Sequence, residues 1–314
     1  MTRQPRPHLL QLVSAGLCAA LAAGCSVRTL AVNSLADALA ESGSVYASDS
    51  DPELVRDALP FALKTHESLL ETAGTHQGLL KATCSGFTQY AYAFVETDSV
   101  LLEFDDYSES RRLAERALGL YLRARDYCLR GLEVSHPGIG AELVSAPDVA
   151  VARLGIDDVD LVYWTAAAWG SAISLGLHRL EIAADLPAVR ALFDRALTLD
   201  ETYSRGAVHE ALISIEALPE TMGGSRERAD RHFARAVELS RGGSAAPYVS
   251  YASAVLVPAQ ERAVFMETLE TALAVDVDGV EDLKLSNRIA RKRARFLAAH
   301  GDDLFLEPLE NIEP

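Results

Sequence analysis

Cysteine, tryptophan and methionine are all scarce in this chain: four, two and three residues in 314. No Cys-x-x-Cys pair occurs, so thioredoxin-type exchange and zinc ribbons have no support. Basic residues are also short, 29 against 45 acidic ones. A surface this acidic repels phosphate backbones, and no basic stripe interleaved with aromatics occurs, which argues against nucleic-acid binding. β-branched runs are short, and apolar/polar alternation with period two never persists, which argues against sheet. Beyond residue 24 no apolar run reaches the roughly 20 residues of a membrane-spanning helix. Gly-x-Gly-x-x-Gly, a Walker loop and a Gly-x-Ser-x-Gly elbow are all missing. His209-Glu210 starts no zinc-protease motif, because Ile213 stands where the second histidine belongs. The expectation is a protein with no catalytic set, no metal and no cofactor.

What is present begins at the N-terminus. Arg3 and Arg6 precede an apolar run from Leu9 to Ala23, and Leu21-Ala22-Ala23-Gly24-Cys25 closes it. This is the charged, apolar and small-residue order of a secretory signal. Cysteine directly after Ala-Ala-Gly resembles a bacterial lipobox, with Ala22 where leucine is commoner. Cleavage there leaves Cys25 as an acylated N-terminus, and several acyl chains at ~0.8 kcal/mol per buried CH2 make a lasting anchor. Ser26, where inner-membrane lipoproteins often carry aspartate, implies the outer membrane. Loss of residues 1–24 removes Arg3 and Arg6 and no acid, so 27 basic and 45 acidic residues remain. The expected organisation is a signal over 1–24, a lipid-anchored tether or short leading helix over 25–50, and one domain over 51–314.

That domain reads as helix after helix. Asp51-Pro52 supplies an N-cap and a proline at the first helical position. The spacing predicts helices over 51–72, 77–96, 108–132, 158–178, 186–199, 202–217, 225–240, 246–256, 258–274 and 282–299. His136-Pro137-Gly138 and Ala146-Pro147-Asp148 mark a long irregular connection. Cys84 and Cys128 both fall in apolar helical patterns, where a free cysteine behaves as a small core residue. An oxidising compartment also permits a bond between them, but free thiols are the expectation.

An internal repeat runs through these helices. Ala229-Phe233-Ala236 has the small-aromatic-small spacing of the second helix of a tetratricopeptide repeat. The spacing recurs at Ala117-Tyr121-Ala124, at Val189-Phe193-Ala196 with valine in the first small position, and with more substitutions at Phe265-Leu269-Ala272, in steps of 72, 40 and 36 residues. Small residues let paired helices approach, and the aromatic fills the gap to the next pair. The fold class expected is all-α, built of degenerate tetratricopeptide-like repeats in a superhelix.

Three stretches carry a wider resemblance: Asp51 to Phe61, Ser85-Gly86-Phe87-Thr88-Gln89-Tyr90-Ala91-Tyr92-Ala93-Phe94-Val95, and Ala246-Pro247-Tyr248 through Asp276, followed by Asn287-Arg288-Ile289-Ala290. With these the chain resembles the TRAP transporter T-component family, called TatT, across essentially its whole mature length. The resemblance implies a periplasm-facing, all-helical lipoprotein and a homotrimer with a channel through each subunit. It further implies association with the periplasmic substrate-binding protein, the P-component, and delivery to it of an organic acid or a more hydrophobic ligand. The alternative is a general repeat scaffold lipoprotein of envelope assembly.

Candidate sites each carry two readings. Phe87, Tyr90 and Phe94 share a helical face, with Gln89 nearby; the row is core, or the lining of an apolar channel with a polar tip. Tyr163, Trp164 and Trp169 form a second aromatic cluster with the same two readings. Arg288, Arg291 and Arg295 lie on one face of the only basic run, either as a solvated face or as contacts for a carboxylate or an acidic partner. Asp276-Val277-Asp278-Gly279 lacks the acids of a calcium loop and reads as a capped turn.

Overall fold

The computed structural model describes residues 32–39 and 43–306; Cys25, Ser26 and the leader lie outside them. Regular structure among the described residues is entirely helical. Helix α1 (Pro52–Leu70) starts where the sequence places it: the Asp51 carboxylate accepts the backbone N–H groups of Glu53 and Leu54. Its buried stripe is Val55, Leu59, Leu63, His66 and Leu70. Helix α2 (Gln77–Tyr90) runs into a π-helical turn, Ala91–Glu96, and then Thr97–Leu101. Asp106 caps α3 (Tyr107–Ser135). Helices α4 (Ile139–Ser145) and α5 (Pro147–Ala152) occupy the stretch expected to be irregular, because Pro147 opens a helix as readily as it ends one.

The second half comprises α6 (Val159–Gly176), α7 (Leu186–Leu199), α8 (Ala207–Glu216), α9 (Arg226–Leu239), α10 (Ala246–Tyr251), α11 (Arg262–Ala274) and α12 (Lys284–Ala299). Helix α8 starts later than its spacing predicts. Ser204, Arg205 and Gly206 all have positive φ, and Gly206, at φ 91°, reverses the chain before the helix. Helix α10 also passes into a π-helical turn, Ala252–Leu256. Such turns re-aim side chains within a helix and recur at functional sites.

Helices α2, α3, α6 and α7 pack in succession, as do α8 with α9 and α11 with α12. The α3/α6 approach is close enough that a Cβ at Gly131 would lie 2.9 Å from Leu161. All members of the triads at 117, 189 and 265 are buried, as are Ala229 and Ala236. Phe233 is half-buried and stacks on Tyr251 at 4.2 Å. These triads are therefore packing positions.

The last long helix returns to the first. Leu285 and Ile289 of α12 pack into one cluster with Val55 and Leu59 of α1 and Ala93 and Phe94 of the π-turn. The fully buried Asn287 fixes the register of α12: it accepts from the Ala245 backbone N–H and donates to the Gly243 carbonyl.

The cysteines differ from expectation. Cys84 of α2 and Cys128 of α3 form a disulfide. Periodicity places both in the core. Only the crossing of α2 and α3 brings their Cα atoms to 5.3 Å, within disulfide reach.

Candidate functional site: an apolar cavity with polar groups in its wall

A cavity of about 230 Å³ lies where α1, α2, its π-turn, α6 and α12 meet, with Gly43, Tyr46 and Ala47 of the leading segment on its rim. Its apolar wall includes Leu59, Leu63, Phe94, Trp164, Leu285 and Ile289. Each wall residue is there because its helix turns a core-facing stripe toward a neighbour, and four stripes converge without filling the centre.

Polar groups sit at intervals in this wall. Lys81 donates to Asp160 at 2.6 Å, and the Tyr203 hydroxyl donates to the other Asp160 oxygen at 2.8 Å. Burial works to raise the Asp160 pKa, but these two donors outweigh it and hold the carboxyl below its ordinary value. His66 is 6% exposed, its Nδ1 has no hydrogen-bond partner, and burial pushes its pKa down, favouring the neutral ring. Gln89 spends its amide on the Ser85 carbonyl.

Of the aromatic and polar candidates, Gln89, Phe94 and Trp164 line this cavity. Phe87 is buried and stacks on Tyr127. Tyr90 lies beside it in the fold, with the Arg116 guanidinium over its ring. Trp169 is buried in the core and donates its indole N–H to Asp185. Tyr163 meets Trp164 edge-on at 5.0 Å. In the basic run, Arg288 pairs with Asp278 and Arg291 donates to the Val275 carbonyl, so both brace the turn after α11. In that turn Asp276 accepts the Asp278 backbone N–H, as a capped turn does. Arg295 is exposed.

The sequence reading missed Arg293. It continues the apolar row Leu285, Ile289, Arg293, Leu297 on α12, and a charge in such a row was the available signal. Its guanidinium donates to Glu96 at 3.3 Å and lies 4.8 Å from the centre of the Tyr92 ring. The Tyr121 hydroxyl donates to the same Glu96 at 2.6 Å. Burial opposes the Arg293 charge, but Tyr92, Glu96 and Tyr121 outweigh it and raise the pKa, so Arg293 stays cationic. Burial also drives the Tyr121 hydroxyl well above its ordinary value, keeping it protonated as a donor.

Glu210 of α8 is half-buried. Burial pushes its pKa up to about 7, against a smaller opposing pull from Arg293. Tyr163 responds to the same surroundings: burial, then Glu210 and Tyr92, push its hydroxyl up. Tyr92 belongs to both regions, since it lines the cavity and carries Arg293 on its face. Among the described residues no three His, Cys, Asp or Glu side chains gather to hold a metal ion, and no helix is long and apolar enough to cross a membrane.

The sequence matches the TRAP transporter T-component family over residues 48–305, which include α1, α2, α6 and α12 of the cavity wall. A protein of Treponema pallidum (strain Nichols), described only as uncharacterized, is 32% identical over 306 residues, covering 91% of this chain and 95% of its own. The family is one of transporter components and not of enzymes. On the extent of that match, the chain belongs to the TRAP transporter T-component family.

Proposed function

We propose that this protein is a lipid-anchored, periplasm-facing accessory of a TRAP-type transport system that docks the substrate-binding P-component and helps deliver a small organic or hydrophobic ligand to it. Cys25 carries the anchor, and the outer membrane is its address. The body acts as a set of degenerate tetratricopeptide-like repeats assembled into a homotrimer. Phe94, Gln89 and Trp164 contact the ligand, with Phe87, Tyr90, Tyr163 and Trp169 as the packed layer behind or along its path. The Arg288, Arg291 and Arg295 face is offered to an acidic partner surface, with Arg295 as its exposed member.

The observation that carries this reading is the cavity of about 230 Å³, apolar through most of its wall, in a member of a transport family. Ligand sites are concave, mainly apolar and marked by a few placed polar groups. Lys81–Asp160, His66 and Gln89 supply those groups here.

The test is an affinity pull-down of the tagged, lipidated protein from its native envelope with mild crosslinking and mass spectrometry. Recovery of a TRAP substrate-binding protein is the expected result. Recovery of envelope-assembly proteins without one would overturn the transport role in favour of a scaffold.

A further inference from the structure

Three consecutive residues that follow Tyr92 and Phe94 are all spent on fastening the chain. Glu96 closes the π-turn Ala91–Glu96 and accepts from the Tyr121 hydroxyl of α3 and from Arg293 of α12. Thr97, fully buried, donates both its backbone N–H and its hydroxyl to the Tyr92 carbonyl, the hydroxyl at 2.9 Å. Asp98 receives both Nη atoms of Arg56 of α1, at 2.6 and 2.9 Å, with Lys292 of α12 at 3.8 Å. The same two guanidinium groups lie over the two aromatic rings of the turn, Arg293 at 4.8 Å from the centre of Tyr92 and Arg56 at 5.0 Å from that of Phe94. The second π-turn, Ala252–Leu256, has no such fastening. Neither its residues nor Val257-Pro258-Ala259 after it carry a charge, and none of them is among the described residues that line the cavity.

A π-turn is a widened stretch of helix, rare in proteins and mostly confined to a single turn. Its effect here is on direction. Successive side chains of an α-helix are about 100° apart, so Tyr92, Ala93 and Phe94 would spread over about 200°. With i→i+5 bonding the step falls to about 80°, and the three fit within about 160°, less than half the circumference. All three line the cavity, as does Gln89 one turn before Ala93. The clamps come from the two helices that already meet this turn in one apolar cluster: Arg56 follows Val55 on α1, and Arg293 lies one turn beyond Ile289 on α12. Both ion pairs close across the fold, Arg56 to Asp98 over 42 residues and Glu96 to Arg293 over 197.

We propose that Arg293 and Arg56, acting through Glu96 and Asp98, are positioning residues that hold the π-turn and thereby set the shape of the ligand cavity. The inference rests on the cavity being the ligand site, as read above. Neither arginine lines the cavity, so each acts through the turn and not on the ligand. Released from the clamps, the segment relaxes toward an α-helix. Tyr92 and Phe94 then spread beyond half the circumference, and the wall between α1 and α12 loses its fit to an apolar guest. The Arg293 and Glu96 side chains are only 13% and 16% exposed, so this inner pair is sheltered from solvent.

The test uses the full lipidated chain in detergent with N-phenyl-1-naphthylamine, an apolar fluorescent probe excited by energy transfer from tryptophan. A82F, with its cavity filled, supplies the background of micelle-bound probe. E96Q/R293M removes the inner ion pair without stranding a charge, and the new amide still accepts from Tyr121. The expected result is a Tm within about 3 °C of wild type, because loss of a whole buried pair is close to neutral. Probe binding should weaken about tenfold, and amide hydrogen exchange should quicken over residues 91–98 alone. R293K, which keeps the charge but not the planar fork, should fall between the two. R56M/D98N tests the outer clamp and should shift affinity and exchange in the same direction. Unchanged affinity and exchange in both double variants would overturn the assignment. So would exchange quickened throughout the fold, which would make the pairs general braces. A wild type with no A82F-sensitive signal would sink the ligand role of the cavity instead, and the exchange pattern would still decide whether the clamps hold the turn.

Discussion

Cys84 of α2 is bonded to Cys128 of α3, tying a helix that lines the cavity to the one behind it. Their sequence separation is 44 residues. Closing a loop of that size restricts the unfolded chain by roughly 4 kcal/mol in the chain-entropy account. For a body this large that is worth roughly 5–10 °C in Tm. Melting with and without reductant should show this difference in the wild type and none in the Cys84→Ala/Cys128→Ala variant. A reductant-independent wild-type Tm, with two thiols titrating in denaturant before reduction, would contradict the bond.

Glu210 makes stability depend on pH near neutrality. Its folded pKa, about 7, lies above the ordinary value of 4.5. Between these values the unfolded chain ionises it and the folded chain does not. Its contribution to stability is therefore lost as pH rises from about 4.5 to about 7, and the loss is complete above that. E210Q should be more stable than wild type at pH 8, by a magnitude on the order of 2–3 kcal/mol. The gap should close toward pH 4.5 in urea denaturation. A gap that widens in acid would contradict the placement.

The His209–His232 pair acts in the opposite direction. Their Nδ1 atoms lie 2.8 Å apart, so one ring must donate and the other accept. Burial, then the neighbouring His209, pushes His232 down to about 4, and burial also lowers His209 despite Glu201. Below about 6.5 the unfolded chain takes up protons that the folded chain refuses. Stability should fall with pH from 6.5 toward 4. H232N, which can still bond but does not titrate there, should flatten this part of the profile.

Glu216 is buried and accepts from two arginines, Arg190 at 2.8 Å and Arg228 at 2.8 Å. Arg190 also donates to the carbonyls of Ile215 and Met222, so the cluster fixes the turn between α8 and α9. Both arginines keep contact with solvent, at 23% and 43% side-chain exposure, so losing Glu216 removes their hydrogen bonds without stranding a fully buried charge. E216A should lose on the order of 1–3 kcal/mol in chemical denaturation. An unchanged stability would contradict the bracing role.

Ala82 lines the cavity. Phenylalanine there fills space that the proposed ligand needs and leaves the outer surface unchanged. A82F should abolish binding of an apolar fluorescent probe in the cavity while capture of the substrate-binding protein persists. Equal loss of both would indicate a disturbed fold, and circular-dichroism melting would separate that case.

Most helices were legible in the sequence because the information is local. Asp51 with Pro52 announces α1, and an apolar residue every three or four positions carries each stripe across a turn of helix. The triads at Ala117 and Ala229 pack because small residues at that spacing permit close approach wherever they occur, while those at Val189 and Phe265 are buried as larger apolar residues in the same stripe. Breaks set by a single backbone angle were less legible. Neither the positive φ of Ser204 and Arg205 nor the two π-helical turns has a residue signature of its own.

By itself the sequence determined the helical class, the acidic balance and the family. Tertiary structure decided what the helices bring together. The Cys84–Cys128 bond, the return of α12 onto α1, and the meeting of Arg293 with Tyr92 and Glu96 join residues 44 to more than 200 positions apart. Arg293 lay within a basic run that reads as a solvated face, and Glu210 within a stretch dismissed for lacking a metal motif. The physical reason is that periodicity fixes which face of a helix is buried, while the neighbour it is buried against depends on crossing geometry that no local pattern encodes.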